Sequence, residues 1–362
     1  MTEQKGNNIK WLLHTVAFLL VFLWLFLQAT HLFRPIRNNI ASFYSVPENS
    51  LDVIFIGGSS TFVYWEPYEA WNDHGMVSYN YSTSSMSPAL LKNLITEAGR
   101  YQDPELYVID LRAFDVREEH PDFYSIEYLR NITDAMEYSF NRIDAIEYAF
   151  GYEQPEDRFD PASYLDLMLY HSRWKNLTED SFQREPVLLE NKGFEFIQFA
   201  YHMPFEKNDY SWVTEVEPLS ADTNAILIEL LEYCKQEELN VLFFLNPFYM
   251  DSPVTKARYN YIQGLVEKYG YRFIDCNDYY DEMKMDFSTD FYNRDHVNIL
   301  GAEKFTRFMG KYIATYYEIP DRRGDPDFAD WEAGYGPWKE RVLEQKERVQ
   351  EAILENTAKE GE

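Results

Sequence analysis

The run from Trp11 to Leu27, WLLHTVAFLLVFLWLFL, contains no Asp, Glu, Lys or Arg. A helix that is apolar all round must be covered on every side, and a bilayer provides that cover. Its 17 residues stand at the short end of what crosses the hydrocarbon core. Trp11 and Trp24 suit the two interfaces, and Lys10 and Arg34 mark the ends. A cleaved signal peptide would have a shorter core and a small-x-small site. Here Gln28-Ala29-Thr30-His31 follows, so an uncleaved anchor is expected. Lys5 and Lys10 precede the run with Glu3 against them, while Arg34 and Arg37 follow it. The acidic remainder of the chain decides for N-inside, C-outside, with His14 tolerated near the cytoplasmic end. This gives a cytoplasmic stub and transmembrane anchor over residues 1–37 and a tether over 38–50.

The net charge is −28, which disfavours nucleic acid and an anionic lipid surface as partners. Sugars, polyols and cationic or zwitterionic groups are easier. Cys234 and Cys276 have no metal-ligand spacing and form no disulfide framework; two buried free thiols are expected, with a single bridge left open. No dinucleotide fingerprint is present, and neither a cofactor nor a metal is expected.

After residue 50 short apolar runs alternate with helical periods, which implies a parallel sheet in an α/β domain. The strands read as Asp52–Ile56, Val77–Asn80, Leu106–Asp110, Val241–Leu245 and Tyr271–Ile274. The helices read as Pro88–Ala98, Ala225–Cys234 and Gly301–Ile313. From Asp115 to Pro218 the alternation fails, with helices near Tyr128–Phe150 and Tyr164–Leu177. Residues 113–218 are therefore expected to form a helical cap inserted over the carboxyl edge of the sheet, within an α/β domain over 51–318. A polar helical tail, residues 319–362, follows; the thin stripe of Trp338, Val342, Val349 and Ile353 would pack on its own domain. Three N-x-S/T triplets, at Asn80, Asn131 and Asn176, read as chance.

Two places could carry chemistry. The first strand runs into Gly57-Gly58-Ser59-Ser60-Thr61, and ligands of open parallel sheets bind where strands end. Paired glycines allow a tight turn and close approach, and a serine there offers both a nucleophile and an N–H to an oxyanion. An ordinary βα turn is the plain alternative. Far downstream lies Asp290-Phe291-Tyr292-Asn293-Arg294-Asp295-His296, in a loop before the last helix of the sheet domain. A serine nucleophile needs such a base, and the base needs an acceptor to fix its tautomer.

Together these residues resemble the SGNH (GDSL-like) hydrolases, in particular the membrane-anchored branch similar to DltD and to O-acyltransferase partners of cell-surface polymers. The resemblance covers residues 50–112 and 220–315. It implies a three-layer, flavodoxin-like sheet with Ser59 as nucleophile and His296 as base. The family's Asp three residues before the base falls on Asn293, a departure that leaves Asp295 and Asp290 as alternative acceptors. The family's oxyanion donors would be met by Gly58 and a backbone N–H near Ser84. Its block-three Asn is absent, and Arg112 would stand there as an oxyanion cation or as a salt-bridged residue. His171 and Arg173, in Tyr170-His171-Ser172-Arg173-Trp174, resemble a local motif of the anchored relatives and would line the pocket or pack among aromatics.

The resemblance implies an extracytoplasmic serine esterase or acyltransferase acting on acyl groups of envelope polymers such as teichoic acid or polysaccharide. An acyl donor and a membrane-bound acyltransferase would be its partners. The other reading is a non-catalytic member of the fold that serves as a binding module in envelope assembly.

Overall fold

The computed structural model describes residues 2–34, 38–182, 187–200 and 208–360. Arg37 and parts of the expected insertion, 183–186 and 201–207, lie outside the described residues. The chain divides into two units, residues 1–36 with 159–184, and residues 37–158 with 185–362.

In the first unit, helix α1 spans Thr2–Phe33. Its stretch Asn8–Thr30 has a mean hydropathy of 2.1 and is long and apolar enough to cross a membrane, with none of the window buried. Its last carbonyls need partners outside the helix, and the segment from Phe159 supplies one: Arg173 Nη1 donates to the Phe33 carbonyl at 2.8 Å. Arg34 forms an ion pair with the shielded carboxylate of Asp166. Short helical turns, Pro161–Tyr164, Leu167–Tyr170 and His171–Asn176, make up this segment.

In the second unit, a short helix α2 (Asn39–Phe43) leads to β1 (Val53–Gly57), α3 (Ser59–Tyr64), α4 (Pro67–His74), β2 (Ser78–Ser82), α5 (Leu91–Gly99) and β3 (Leu106–Asp110). Helices α6 (Arg112–Glu119), α7 (Ile126–Thr133) and α8 (Phe140–Glu153) follow. Then come α9 (Ala221–Gln236), β4 (Val241–Leu245), α10 (Pro253–Lys268), β5 (Arg272–Asp275), α11 (Ile299–Tyr316) and α12 (Ala329–Glu360). The five strands are parallel in the order β2-β1-β3-β4-β5. Strands β1 to β4 are buried throughout, as strands covered on both faces must be. Right-handed crossovers put α3 and α4 on one face, where α11 packs on them, and α5, α9 and α10 on the other, where α9 meets α5. On the first face Phe55 stacks on Trp65 at 4.2 Å and meets Phe244 edge-on at 5.9 Å, and Phe244 in turn meets Phe305 of α11 at 6.1 Å.

Two expectations about boundaries need correction. Residues 38–50 are not a tether: Ile40 and Phe43 are fully buried, Phe43 lies 4.3 Å from the Tyr81 ring, and the Tyr79 hydroxyl donates to the Asn39 carbonyl at 3.0 Å. Residues 113–218 are not one cap. Helix α8 packs on α5 and α7, and residues 159–184 belong with α1 because they satisfy that helix's end. Asn80 N of edge strand β2 donates to the Lys192 carbonyl at 3.1 Å, so this part of the stretch covers an edge that would otherwise expose its ladder. A Cβ at the adjoining Gly193 (φ +83°) would come within 2.6 Å of the Asn80 carbonyl.

Residues 319–362 pack on their own domain, as the apolar stripe implies: Trp338, Val342 and Val349 are buried. Arg322 clasps Asp52 through Nη2 at 2.7 Å and Nε at 3.1 Å. The Trp338 ring sits 4.8 Å from Phe196 and 5.6 Å from Tyr68. Asn80 itself is buried, its amide bonded to the Trp65 carbonyl, which removes it as a glycan acceptor. Trp338 is 1% exposed, and removing a buried indole costs about 3–5 kcal/mol. Trp338→Ala in the full chain should lower the unfolding free energy by that amount in urea titrations; a change under about 1 kcal/mol would mark surface packing instead.

Candidate active site

Strand β1 ends at Gly57, and the chain reverses at once into α3. The glycine is required at this one place: a Cβ at Gly57 would lie 2.2 Å from Thr61 Oγ1 and 2.7 Å from Asp110 Cβ. At Gly58 a Cβ would meet only Met86 Cβ, at 3.7 Å, so the second glycine of the pair is not forced by space. Ser59 is the first residue of α3, so its N–H has no intrahelical acceptor.

The next two residues are tied down. Ser60 Oγ donates to Asp110 Oδ2 at 2.8 Å and Thr61 Oγ1 to the same oxygen at 3.3 Å. Asn246 Nδ2 donates to it at 3.0 Å, and Arg112 N donates to Oδ1 at 2.9 Å. Asp110 is 2% exposed. Burial raises its carboxyl pKa, while these donors and the Arg112 charge hold it back. Asp110 and Asn246 went unnoticed as site residues in the sequence. The only signal was a polar residue at the carboxyl end of an apolar strand.

His296 reaches the turn from a tight loop. Phe291 and Val297 form an antiparallel bridge, and Tyr292 N donates to the His296 carbonyl at 2.8 Å. The imidazole Nε2 lies 2.7 Å from Ser59 Oγ, and Nδ1 lies 2.9 Å from Asn293 Oδ1. Asp295 N donates to that same Oδ1 at 2.8 Å, which fixes the amide with its oxygen toward the ring. Nδ1 then carries the proton, and the Nε2 lone pair faces the serine hydroxyl. The other two candidate acceptors are engaged elsewhere. Asp290 accepts from Lys304 Nζ at 2.6 Å and from Asp286 N at 2.7 Å, and Asp295 pairs with Arg112 Nη2 at 2.5 Å.

Arg112 therefore has a salt-bridge partner, and its guanidinium also lies 3.7 Å from the Phe248 ring centroid. Its Nη1 is buried with no protein partner among the described residues. Ser84 is exposed on the turn after β2; Thr83 N donates to the Gly57 carbonyl at 3.4 Å, and Ser85 takes a left-handed φ of +56°. Such a value is uncommon outside glycine and occurs here in a turn held against Gly57. His171 and Arg173 are grouped with α1, where His171 Nδ1 lies 2.8 Å from the Met168 carbonyl. Cys234 and Cys276 are free and buried, and burial pushes the Cys234 thiol up to about 12. Compared with known proteins, the chain matches no family model and no curated protein.

The arrangement can move a proton from a serine hydroxyl to an imidazole and hold the imidazole in one tautomer. Burial first, and the neighbouring Arg112 second, lower the His296 pKa to about 4; Asp295 works in the opposite direction. The base is thus neutral throughout the physiological range. An NMR titration of the full chain, with His296 assigned by difference against His296→Asn, should show a midpoint near 4. Arg112→Gln should raise that midpoint, because it removes a cation that opposes protonation. A wild-type midpoint at the ordinary value of about 6.5 would contradict the buried geometry.

Proposed function

We propose that this protein is a membrane-anchored serine esterase or acyltransferase of the SGNH type, acting outside the cytoplasm on acyl groups of cell-envelope polymers. The observation that carries the reading is the Ser59–His296–Asn293 relay at the carboxyl edge of the sheet. The strand order 2-1-3-4-5 supports it, since it is the flavodoxin-like order in which ligands bind outside the carboxyl ends of strands.

In this reading Ser59 Oγ attacks the acyl carbonyl as its proton passes to His296 Nε2. The tetrahedral oxyanion is received by the N–H of Ser59 and by N–H groups of the turn at Ser84, with Arg112 contributing positive charge. His296 returns the proton to the departing oxygen or sulfur, leaving an ester on Ser59. Water or a polymer hydroxyl then attacks that ester by the same steps in reverse. In a serine protease, exchanging the triad carboxylate for an amide costs about four decades of rate, because the tautomer is lost. Here the Asn293 oxygen is already held as the acceptor, so the tautomer is kept, as in cysteine proteases that use Asn. What Asn293 lacks is the charge that stabilises an imidazolium.

That same lack favours a second reading, a non-catalytic binding module in envelope assembly. A fluorophosphonate probe separates the two. Labelling of the wild-type chain that disappears in Ser59→Ala and falls by orders of magnitude in His296→Ala supports the enzyme; a folded chain that never labels supports the module.

Transfer is favoured over free hydrolysis by the anchor, which raises the effective concentration of the domain toward an integral-membrane acyltransferase supplying the donor. Deleting residues 1–33 and exporting the remainder by another signal should abolish envelope acylation. Acylation persisting at normal levels would overturn the transferase-complex reading.

A further inference from the structure

The segment that closes the end of α1 has two faces. Toward the helix, Asp166 pairs with Arg34 and Arg173 holds the Phe33 carbonyl. Away from it, Leu165, Met168, Leu169, Trp174 and Phe182 are 45%, 54%, 47%, 62% and 65% exposed. Five large apolar side chains bared within so short a stretch are more than scattered surface exposure accounts for. Lys175 Nζ lies 5.7 Å from the Trp174 ring centroid, pairing an aromatic with a cation in the manner of residues at headgroup depth.

The helix fixes the depth of this segment. Phe33 lies three residues past the end of the apolar window at Thr30, or about 4–5 Å at 1.5 Å per residue. A segment bonded there lies at the boundary between acyl chains and headgroups. We infer that residues 165–182 form an interfacial collar, lying in that boundary at the C-terminal end of the membrane helix, with Leu165, Met168, Leu169, Trp174 and Phe182 inserted among the lipids. The inference rests on α1 spanning a membrane. Its occupant is lipid and not a second protein, because the collar is continuous with the surface that the bilayer already covers. The chain's charge of −28 gives no attraction to anionic lipid, so insertion is apolar and independent of headgroup charge.

The test uses the full chain in phosphatidylcholine nanodiscs containing, in separate preparations, lipid spin-labelled near the top of the acyl chain, which reports on 174 and 168, and near its end, which reports on the mid-span position 19. A bimane fluorophore is attached at Trp174→Cys or Met168→Cys; Cys234 and Cys276 are buried and do not label in the folded protein. Leu19→Cys, within the span, and Phe140→Cys, 92% exposed in the other unit, serve as references. The expected result is blue-shifted emission and loss of most of the signal at 174 and 168, unchanged by salt. Emission at 174 and 168 as water-like and unquenched as at 140, with 19 quenched, overturns the collar while leaving the anchor intact. If 19 is also unquenched, the span itself fails and the collar with it. Blue-shifted but unquenched emission at 174 indicates cover by protein, a second copy included, and also overturns the inference.

Discussion

The candidate site depends on one buried carboxylate. Asp110 ends β3 in the middle of the sheet, and its Oδ2 collects the hydroxyls of Ser60 and Thr61 and the amide of Asn246. The residues that follow β1, β3 and β4 are thereby tied to one atom pair. A buried carboxylate is costly unless it is fully hydrogen-bonded, and here each oxygen has its donors. The close approach of Gly57 to Asp110 Cβ is the steric side of the same clamp. Ser59 stands one residue before the bonded pair, which leaves its hydroxyl free to face His296.

Around the imidazole the charges are arranged so that the cation and anion satisfy each other. Arg112 and Asp295 form a pair 2.5 Å apart, and the imidazole keeps a neutral amide as its acceptor. A carboxylate in place of Asn293 would pull the pKa of His296 upward; the amide leaves burial and Arg112 in control. In the proposed mechanism the imidazole starts in the protonation state a general base needs, and the amide gives little help to the imidazolium that would follow. Electrostatic support for the proposed reaction would then have to come from donors aimed at the oxyanion; the buried Nη1 of Arg112, which has no protein partner among the described residues, is one such donor.

The strands were legible in the sequence because burial on both faces leaves uninterrupted apolar runs: Leu106–Asp110 and Val241–Leu245 are found at those limits. Ser59 and His296 were legible because a Gly-Ser turn after one strand and a histidine before the last sheet helix have few other uses together. Helix α10 was missed. Its buried face includes Thr255, Lys256 and Tyr259, and the polar members take their place through bonds such as Lys256 Nζ to Asp275 at 2.7 Å, which no hydropathy period reveals. Residues 38–50 were misread for a related reason. Their buried apolar residues are few, and what docks them is a partner distant in the chain, Phe43 on Tyr81. The stretch from 113 to 218 read as one insertion because its lack of strands was visible and its division between two bodies was not.

The abundance of tyrosine has a structural use that follows from where the site lies. The loops beyond the carboxyl ends of β3 and β4 have left the sheet's ladder, so their buried carbonyls need other donors. Tyrosines reaching in from the surrounding helices provide them. The Tyr64 hydroxyl bonds the Pro247 carbonyl, Tyr280 the Phe248 carbonyl at 2.5 Å, and Tyr259 the Arg112 carbonyl at 3.3 Å. Burial raises the pKa of all three phenols, so they remain donors at any working pH. A phenylalanine at Tyr64 or Tyr280 could fill the same space but would take that donor from the Pro247 or Phe248 carbonyl, at a cost of about 1–3 kcal/mol apiece. The ring that packs the core thus also carries a hydrogen bond to the backbone at Pro247, Phe248 or Arg112, the segments that follow β4 and β3 beside the site.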